Sequence, residues 1–360
     1  MKIFLLLLIF ICFLIEFFVG AWFNSSDDTV FINGNIPRNV QLNLPYYLQK
    51  NIIQNHIYSR DGRGLRNTIP SSTKNIVLFF GGSLVDQRRI STEESTPYIV
   101  SEYLQHISNG NWAAVNLGID GHTLLGNLYS LNYWVPLLTN EKLKNGGVVL
   151  VLSANDAMFY FSERKILNPN LTIKEAFSKK SGLIRIYFIF TNLLKLNLLK
   201  TTYVNHDIID FKEINYEKIF PSSVAISNSI NNANLYRLTL KEFLNTINLE
   251  KKSNLLCMNH PDMLSQINGN GFKNAYYSDS DNIEYSSSDI LFSYKLLSSV
   301  LKEECEKFGG NFLDVANDVR FNNAEKNEYF YNIYHLNLKG QKILNNIIIE
   351  EIAKLGIFIE

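Results

Sequence analysis

Two residues at opposite ends of this sequence carry its clearest chemistry. Ser83 stands behind Gly81 and Gly82 at the end of an apolar run, and His335 stands just before the last helical stretch. A serine hydroxyl is a weak nucleophile until a base takes its proton, and acyl transfer also needs donors for the developing oxyanion. Polar clusters that could supply those donors follow two further apolar runs: Asn116-Leu-Gly-Ile-Asp-Gly-His-Thr123 and Ser153-Ala-Asn-Asp156. His260 also ends an apolar run and is the rival base; His56, His106, His122 and His206 read as surface or supporting residues.

The elements that must position these groups follow from periodicity. Ile76–Phe80 is five consecutive apolar residues without alternation, as in a strand covered on both faces. Val100, Tyr103, Leu104 and Ile107 recur at helical spacing after it, so strand, turn and helix begin a doubly wound unit. Trp112–Leu117, Gly147–Leu152, Asn254–Met258 and Asn311–Val315 read as four more strands. Helical stripes lie between them: Leu124, Leu128, Leu131, Val135 and Leu138; Tyr236, Leu240, Phe243 and Ile247; Ile290, Tyr294, Leu297 and Leu301. Gly309-Gly310 would stop the third of these, and Asn337 would cap a last helix carrying Leu344, Ile348, Ile352 and Leu355. In a parallel sheet the carboxyl ends share one edge, which would bring the polar clusters together.

Residues Ile3–Phe23 are apolar apart from Glu16 and Gly20 and follow Lys2, which predicts a membrane-directed segment with the rest of the chain outside the cytoplasm. Val19-Gly20-Ala21 would serve as a cleavage site, but the apolar run continues through Trp22 and Phe23, which favours an uncleaved anchor over a signal peptide. Residues 24–74 read as a polar lead-in interrupted by Pro37, Pro45 and Pro70, with a turn at Asp61–Arg66. From about 157 to 230 the alternation of strand and helix lapses into an insertion, whose Gly182–Lys200 segment reads as a packed or membrane-surface helix. The 34 basic and 34 acidic residues balance, so no net field draws the chain to nucleic acid. Cys12, Cys257 and Cys305 lack zinc-ligand spacing, and no metal or cofactor is called for. Cys257 and Cys305 read as buried thiols, with a bridge between them left open.

With the blocks in order, the sequence resembles the SGNH, or GDSL-type, hydrolase superfamily in its membrane-anchored bacterial form. Gly81-Gly82-Ser83 matches the nucleophile block, and Asn116, Gly118, Gly121 and Thr123 match the second. Ser153-Ala-Asn155-Asp156 matches the third with serine for glycine, and Asn332-Ile-Tyr-His335 with Leu336-Asn337-Leu-Lys-Gly340 matches the last with asparagine for aspartate. The resemblance implies an α/β fold, a flavodoxin-like three-layer sandwich with a five-stranded parallel sheet. To this fold the chain adds the N-terminal membrane segment and the helical insertion.

It also implies an exported serine esterase or acyltransferase acting on acylated, O-acetylated cell-surface glycans. In this reading Ser83 is the nucleophile, His335 the base, and Asn332 its orienter. Ser83, Gly121 and Asn155 form the oxyanion hole. Asp314 and Asp318 are alternative acids, and Asp156 reads as a turn former. The alternatives are a lipid-directed carboxylesterase using the apolar insertion, and a glycan-binding or assembly protein without turnover.

Overall fold

A computed structural model describes residues 40–49, 52–138, 145–161, 216–217, 220–261, 271–272, 277–278, 284–321, 326–332 and 334–358, together with Phe10, Cys12 and Leu14. The chain divides into two units, Met1–Ile36 with Leu167–Asn205, and Pro37–Ile166 with His206–Glu360. Of the first unit only Phe10, Cys12 and Leu14 are described, and they are helical. The rest of the expected membrane segment and the stretch Gly182–Lys200 lie outside the described residues. No helix among the described residues is long and apolar enough to cross a membrane.

The second unit opens with an antiparallel hairpin, β1 (Val40–Gln49) and β2 (Ile52–Arg60), where the sequence predicts only a lead-in. Five parallel strands follow: β3 (Asn75–Phe80), β4 (Trp112–Asn116), β5 (Gly147–Val151), β6 (Leu255–Met258) and β7 (Asn311–Leu313). Their spatial order is β7-β6-β5-β3-β4. Counted from the first parallel strand this is 2-1-3-4-5, the flavodoxin-like winding. β3 pairs on one side with β4 and on the other with β5, and Ile76–Phe80 are all buried, as an unbroken apolar run requires.

Helices lie on both sides of the sheet. α2 (Thr96–Ile107) packs with α7 (Leu338–Leu355); α4 (Ala154–Phe161), α5 (Ser223–Ile247) and α6 (Ser287–Phe308) pack with one another. The Phe80 ring meets Phe243 of α5 edge-on at 5.2 Å, locking the sheet to that layer. Three helix ends are set by residues suited to them. Ser286 and Asp289 form a capping box on α6, Gly309 ends that helix at φ 98°, and Asn337 caps α7 by accepting from Gly340 N. The stripe after β4 is α3 (Leu124–Tyr129), which continues through a π-helical turn, Ser130–Trp134, into Val135–Leu138.

Within the stretch from about 157 to 230, the described residues show α4 running to Phe161 and α5 beginning at Ser223. Its first two turns carry Val224 and Ile230 on the exposed side, which hides the helical stripe from a periodicity reading. Cys257 and Cys305 are buried free thiols without a bridge, and Cys305 Sγ donates to Asn311 O at 3.2 Å.

Candidate active site

Open α/β sheets hold ligands outside the carboxyl ends of their strands, where the strand order reverses. Here the reversal lies between β3 and β5. Beyond β3 the chain turns through Gly81 and Gly82 into α1 (Ser83–Asp86), which lifts Ser83 to that edge. A β-carbon at Gly82 would meet Ser153 Oγ at 2.5 Å, His122 O at 2.7 Å and Asn155 Nδ2 at 3.1 Å, so only glycine lets the three loops close around the serine. The same distances place the Asn155 amide beside the turn that carries Ser83.

His335 comes from the segment before α7, and its Nε2 lies 2.7 Å from Ser83 Oγ. Its Nδ1 lies 2.9 Å from Asn332 Oδ1. That oxygen also accepts the backbone N–H groups of Tyr334 at 3.0 Å and His335 at 2.8 Å. Backbone N–H groups only donate, so the amide oxygen faces the histidine whatever the ring does. The ring proton is thereby held on Nδ1, and Nε2 is left with a lone pair toward the Ser83 hydroxyl. The Tyr331 ring lies nearly parallel to the imidazole, 12° between planes and 5.5 Å between centroids, and Tyr331 N donates to His335 O at 3.0 Å.

The loop after β4 is tied to the serine turn by backbone bonds, Leu117 N to Phe79 O at 3.0 Å and Ile119 N to Gly81 O at 3.2 Å. Gly121 follows at φ 83°, a left-handed conformation, with open space where a side chain would stand. Asn116 fixes the loop internally, its Oδ1 accepting from Gly118 N at 2.9 Å and its Nδ2 donating to Val85 O at 2.9 Å. Asp156 bridges the second and third clusters by accepting from Leu124 N at 2.7 Å and Ser153 N at 3.1 Å. Burial pushes its carboxyl up to about 7. Ser153 accepts Asn155 N on its Oγ at 3.1 Å, a local cap for α4.

His260 stands just beyond β6 and lines the cleft that also contains Ser83, Arg89, Tyr331, His335 and Gln341. Its Nδ1 donates to Pro261 O at 2.7 Å, and burial lowers its pKa to about 4, which keeps it neutral. Ser83 is in hydrogen-bond contact with His335, not with this rival. Asp314 accepts from Asn259 and Asn317, and Asp318 pairs with Arg320, so both acids are engaged away from the imidazole.

The apolar-pattern reading missed the group beneath the site. Asp86, the last residue of α1, is fully buried and accepts from Tyr58 Oη at 2.8 Å, Arg60 at 2.6 Å, Arg88 at 2.8 Å and Asp120 N at 3.1 Å. Burial alone would raise its pKa, but Arg60, Arg88 and Arg66 outweigh it and hold the carboxyl well below the usual range. Arg60 also donates to Gly118 O, and Arg66 donates to the carbonyls of Asp86, Gln87 and Ile90. One ionic cluster thus joins the hairpin, the serine helix and the loop that leads to Gly121. Arginines next to a polar turn, at Asp61–Arg66, were the only sequence signal for it.

No protein-family model and no curated protein matches the sequence. Solved structures do match. A lipase/acylhydrolase from Enterococcus faecalis is 15% identical over 78% of this chain and 96% of its own, with a TM-score of 0.42. A member of the lipolytic G-D-S-L family from Veillonella parvula is 12% identical over 77% of this chain and 98% of its own, TM-score 0.42. An acetyl xylan esterase from Geobacillus stearothermophilus is 14% identical over 78% and 96%, TM-score 0.39. Independently of those likenesses, the 2-1-3-4-5 strand order gives this chain a flavodoxin-like α/β architecture with the Gly-Gly-Ser turn at its switch point, the fold that the resemblance of its sequence blocks implies.

Proposed function

We propose that this protein is an exported serine esterase or acyltransferase that works through an acyl-serine intermediate. The observation that carries the reading is the line Ser83 Oγ, His335 Nε2, His335 Nδ1, Asn332 Oδ1, at 2.7 Å and 2.9 Å. His335 Nε2 takes the hydroxyl proton as Ser83 Oγ bonds to the ester carbonyl carbon. The carbonyl oxygen gains the electron pair and is held by N–H groups of Ser83 and Gly121 and the Asn155 amide. As the tetrahedral centre collapses, the alkoxide leaves and takes the proton from His335, giving the acyl-serine and a free alcohol. Water or an acceptor hydroxyl then repeats the cycle in reverse, with His335 again as base.

Acylated, O-acetylated cell-surface glycans are the substrate class that the family resemblance implies. The apolar run Ile3–Phe23 after Lys2 supports a membrane-tethered enzyme with its catalytic unit outside the cytoplasm. No cofactor enters the scheme. Incubation with a fluorophosphonate probe, then with 4-nitrophenyl acetate, tests the chemistry: mass spectrometry should find the adduct on Ser83, and Ser83→Ala should lose both adduct and turnover. A protein that binds acetylated glycan but takes no label would instead be a binding module. Compartment is tested separately by a reporter fused after Glu360 that is active only in the cytoplasm; activity there would overturn the export reading.

A further inference from the structure

The proposed chemistry leaves one charged group of the cleft unused. Arg89 is half-buried and lines the same cleft as Ser83 and His335. Among the described residues the other arginines are all engaged: Arg60 and Arg88 with Asp86, Arg63 with Asp61, Arg66 with backbone carbonyls, Arg237 with Glu303 and Glu304, and Arg320 with Asp318 and Glu350. Arg89 has no such partner among them, and no carboxylate lines the cleft beside it. The remaining polar lining contains no acid: Ser83, Gln87, Gln341, Tyr331, His335 and a His260 that burial keeps unprotonated.

The backbone that presents Arg89 is clamped on both sides. Gln87 stands at φ 52°, and its carbonyl accepts from Ile90 N at 2.9 Å and from Arg66 at 3.0 Å. The Ile90 carbonyl accepts from Arg66 at 2.8 Å. Arg88, directly before it, is fixed to Asp86 at 2.8 Å and to Asp120 at 3.3 Å. A guanidinium on a hydrogen-bonded turn, lining a cleft without a carboxylate of its own, offers the planar fork that binds one. Rigid presentation also lowers the entropy lost when the ligand docks.

We infer that Arg89 forms an anion subsite beside Ser83 and that the ester this chain takes carries a carboxylate within its reach. The inference rests on the reading of Ser83 as the acylated residue. The carboxylate belongs either to the acyl group or to the alcohol that bears it, and the two sources are separable. On the acyl side, 4-nitrophenyl hydrogen succinate is compared with its methyl ester; on the alcohol side, 4-acetoxybenzoate is compared with methyl 4-acetoxybenzoate.

For at least one pair, kcat/KM of the wild type should favour the charged member. Arg89→Gln should reduce that preference roughly ten- to a hundredfold, the range of a hydrogen bond to a charged group. Arg89→Lys should restore part of it. Binding is read independently by calorimetry of succinanilic acid, an uncleavable amide, on Ser83→Ala with and without Arg89→Gln. Equal kcat/KM within both pairs, together with equal amide affinity in the two proteins, would overturn the anion subsite. Weaker amide binding in Arg89→Gln with no turnover of any ester would sustain the subsite and refute the esterase reading instead.

Discussion

Replacing Asn332 by aspartate asks how much of the work at His335 is orientation and how much is charge. The Asn332 oxygen already accepts the ring proton at 2.9 Å, so the tautomer that leaves Nε2 free does not depend on a carboxylate. What asparagine lacks is attraction for the imidazolium formed in the transition state. At about 4 Å between charge centres that attraction is ~1 kcal/mol in water and ~4 kcal/mol at an effective dielectric of 20. Asn332 is only 6% exposed, so a new carboxylate loses hydration. It inherits the N–H groups of Tyr334 and His335 as donors, which offsets much of that loss. The net gain falls near the lower end, roughly 1.4 kcal/mol, or about tenfold in kcat.

The assay is kcat and KM for 4-nitrophenyl acetate with wild type, Asn332→Asp, Asn332→Ala and His335→Ala, each checked for folding by circular dichroism. Asn332→Asp should raise kcat with KM little changed, Asn332→Ala should lower it, and His335→Ala should abolish turnover. A folded Asn332→Asp that loses activity, or an active His335→Ala, would refute the reasoning and move the base to His260.

Three further outcomes follow from the buried groups. Asp86→Asn leaves Arg60 and Arg66 buried without their counter-charge and should cost about 3–5 kcal/mol in urea unfolding; a loss below about 1 kcal/mol would show that the cluster does not hold the serine turn. Because the Asp86 carboxyl is held below its ordinary 3.8, its stabilisation is present above that value and is lost as pH falls through its folded pKa, so wild type should weaken in acid more steeply than Asp86→Asn. Asp156 has the opposite sign: raised from 3.8 to about 7, it favours the fold fully below pH 3.8 and loses that contribution as pH rises toward 7, by roughly 4 kcal/mol. Asp156→Asn should flatten this part of the profile in thermal melts, and an unchanged slope would count against a neutral buried acid. Gly82→Ala drives a methyl into Ser153 Oγ and His122 O, so it should cut kcat by about 100-fold or more in a folded protein; near-normal kcat would show that the three loops have slack.

What the sequence by itself determined were the features that local pattern dictates. An apolar run without alternation, Ile76–Phe80, can only be covered on both faces, and helical stripes between five such runs leave a doubly wound sheet as the consistent arrangement. Caps at Asn337 and Gly309 were legible for the same reason, since capping is chemistry between near neighbours. The ordered blocks likewise pointed to Ser83, His335 and Asn332 before any distance was known.

Tertiary structure decided the rest. In β2 the usual pattern is inverted: Ile57 is 58% exposed, while Tyr58 and Arg60 are buried at 1% and 3%. A reading of residues 24–74 as a polar lead-in does not foresee this, since burying an arginine is costly unless an acid awaits it. Here that acid is Asp86, 26 residues further on at the end of the serine helix. Asn332 is a parallel case. From sequence the asparagine standing where the resemblance expects an aspartate left the orientation of the amide undecided, and two backbone N–H groups, aimed by the turn before α7, settle which atom faces the histidine. In both places the deciding partner is set by the path of the backbone, which residue types and spacing do not contain.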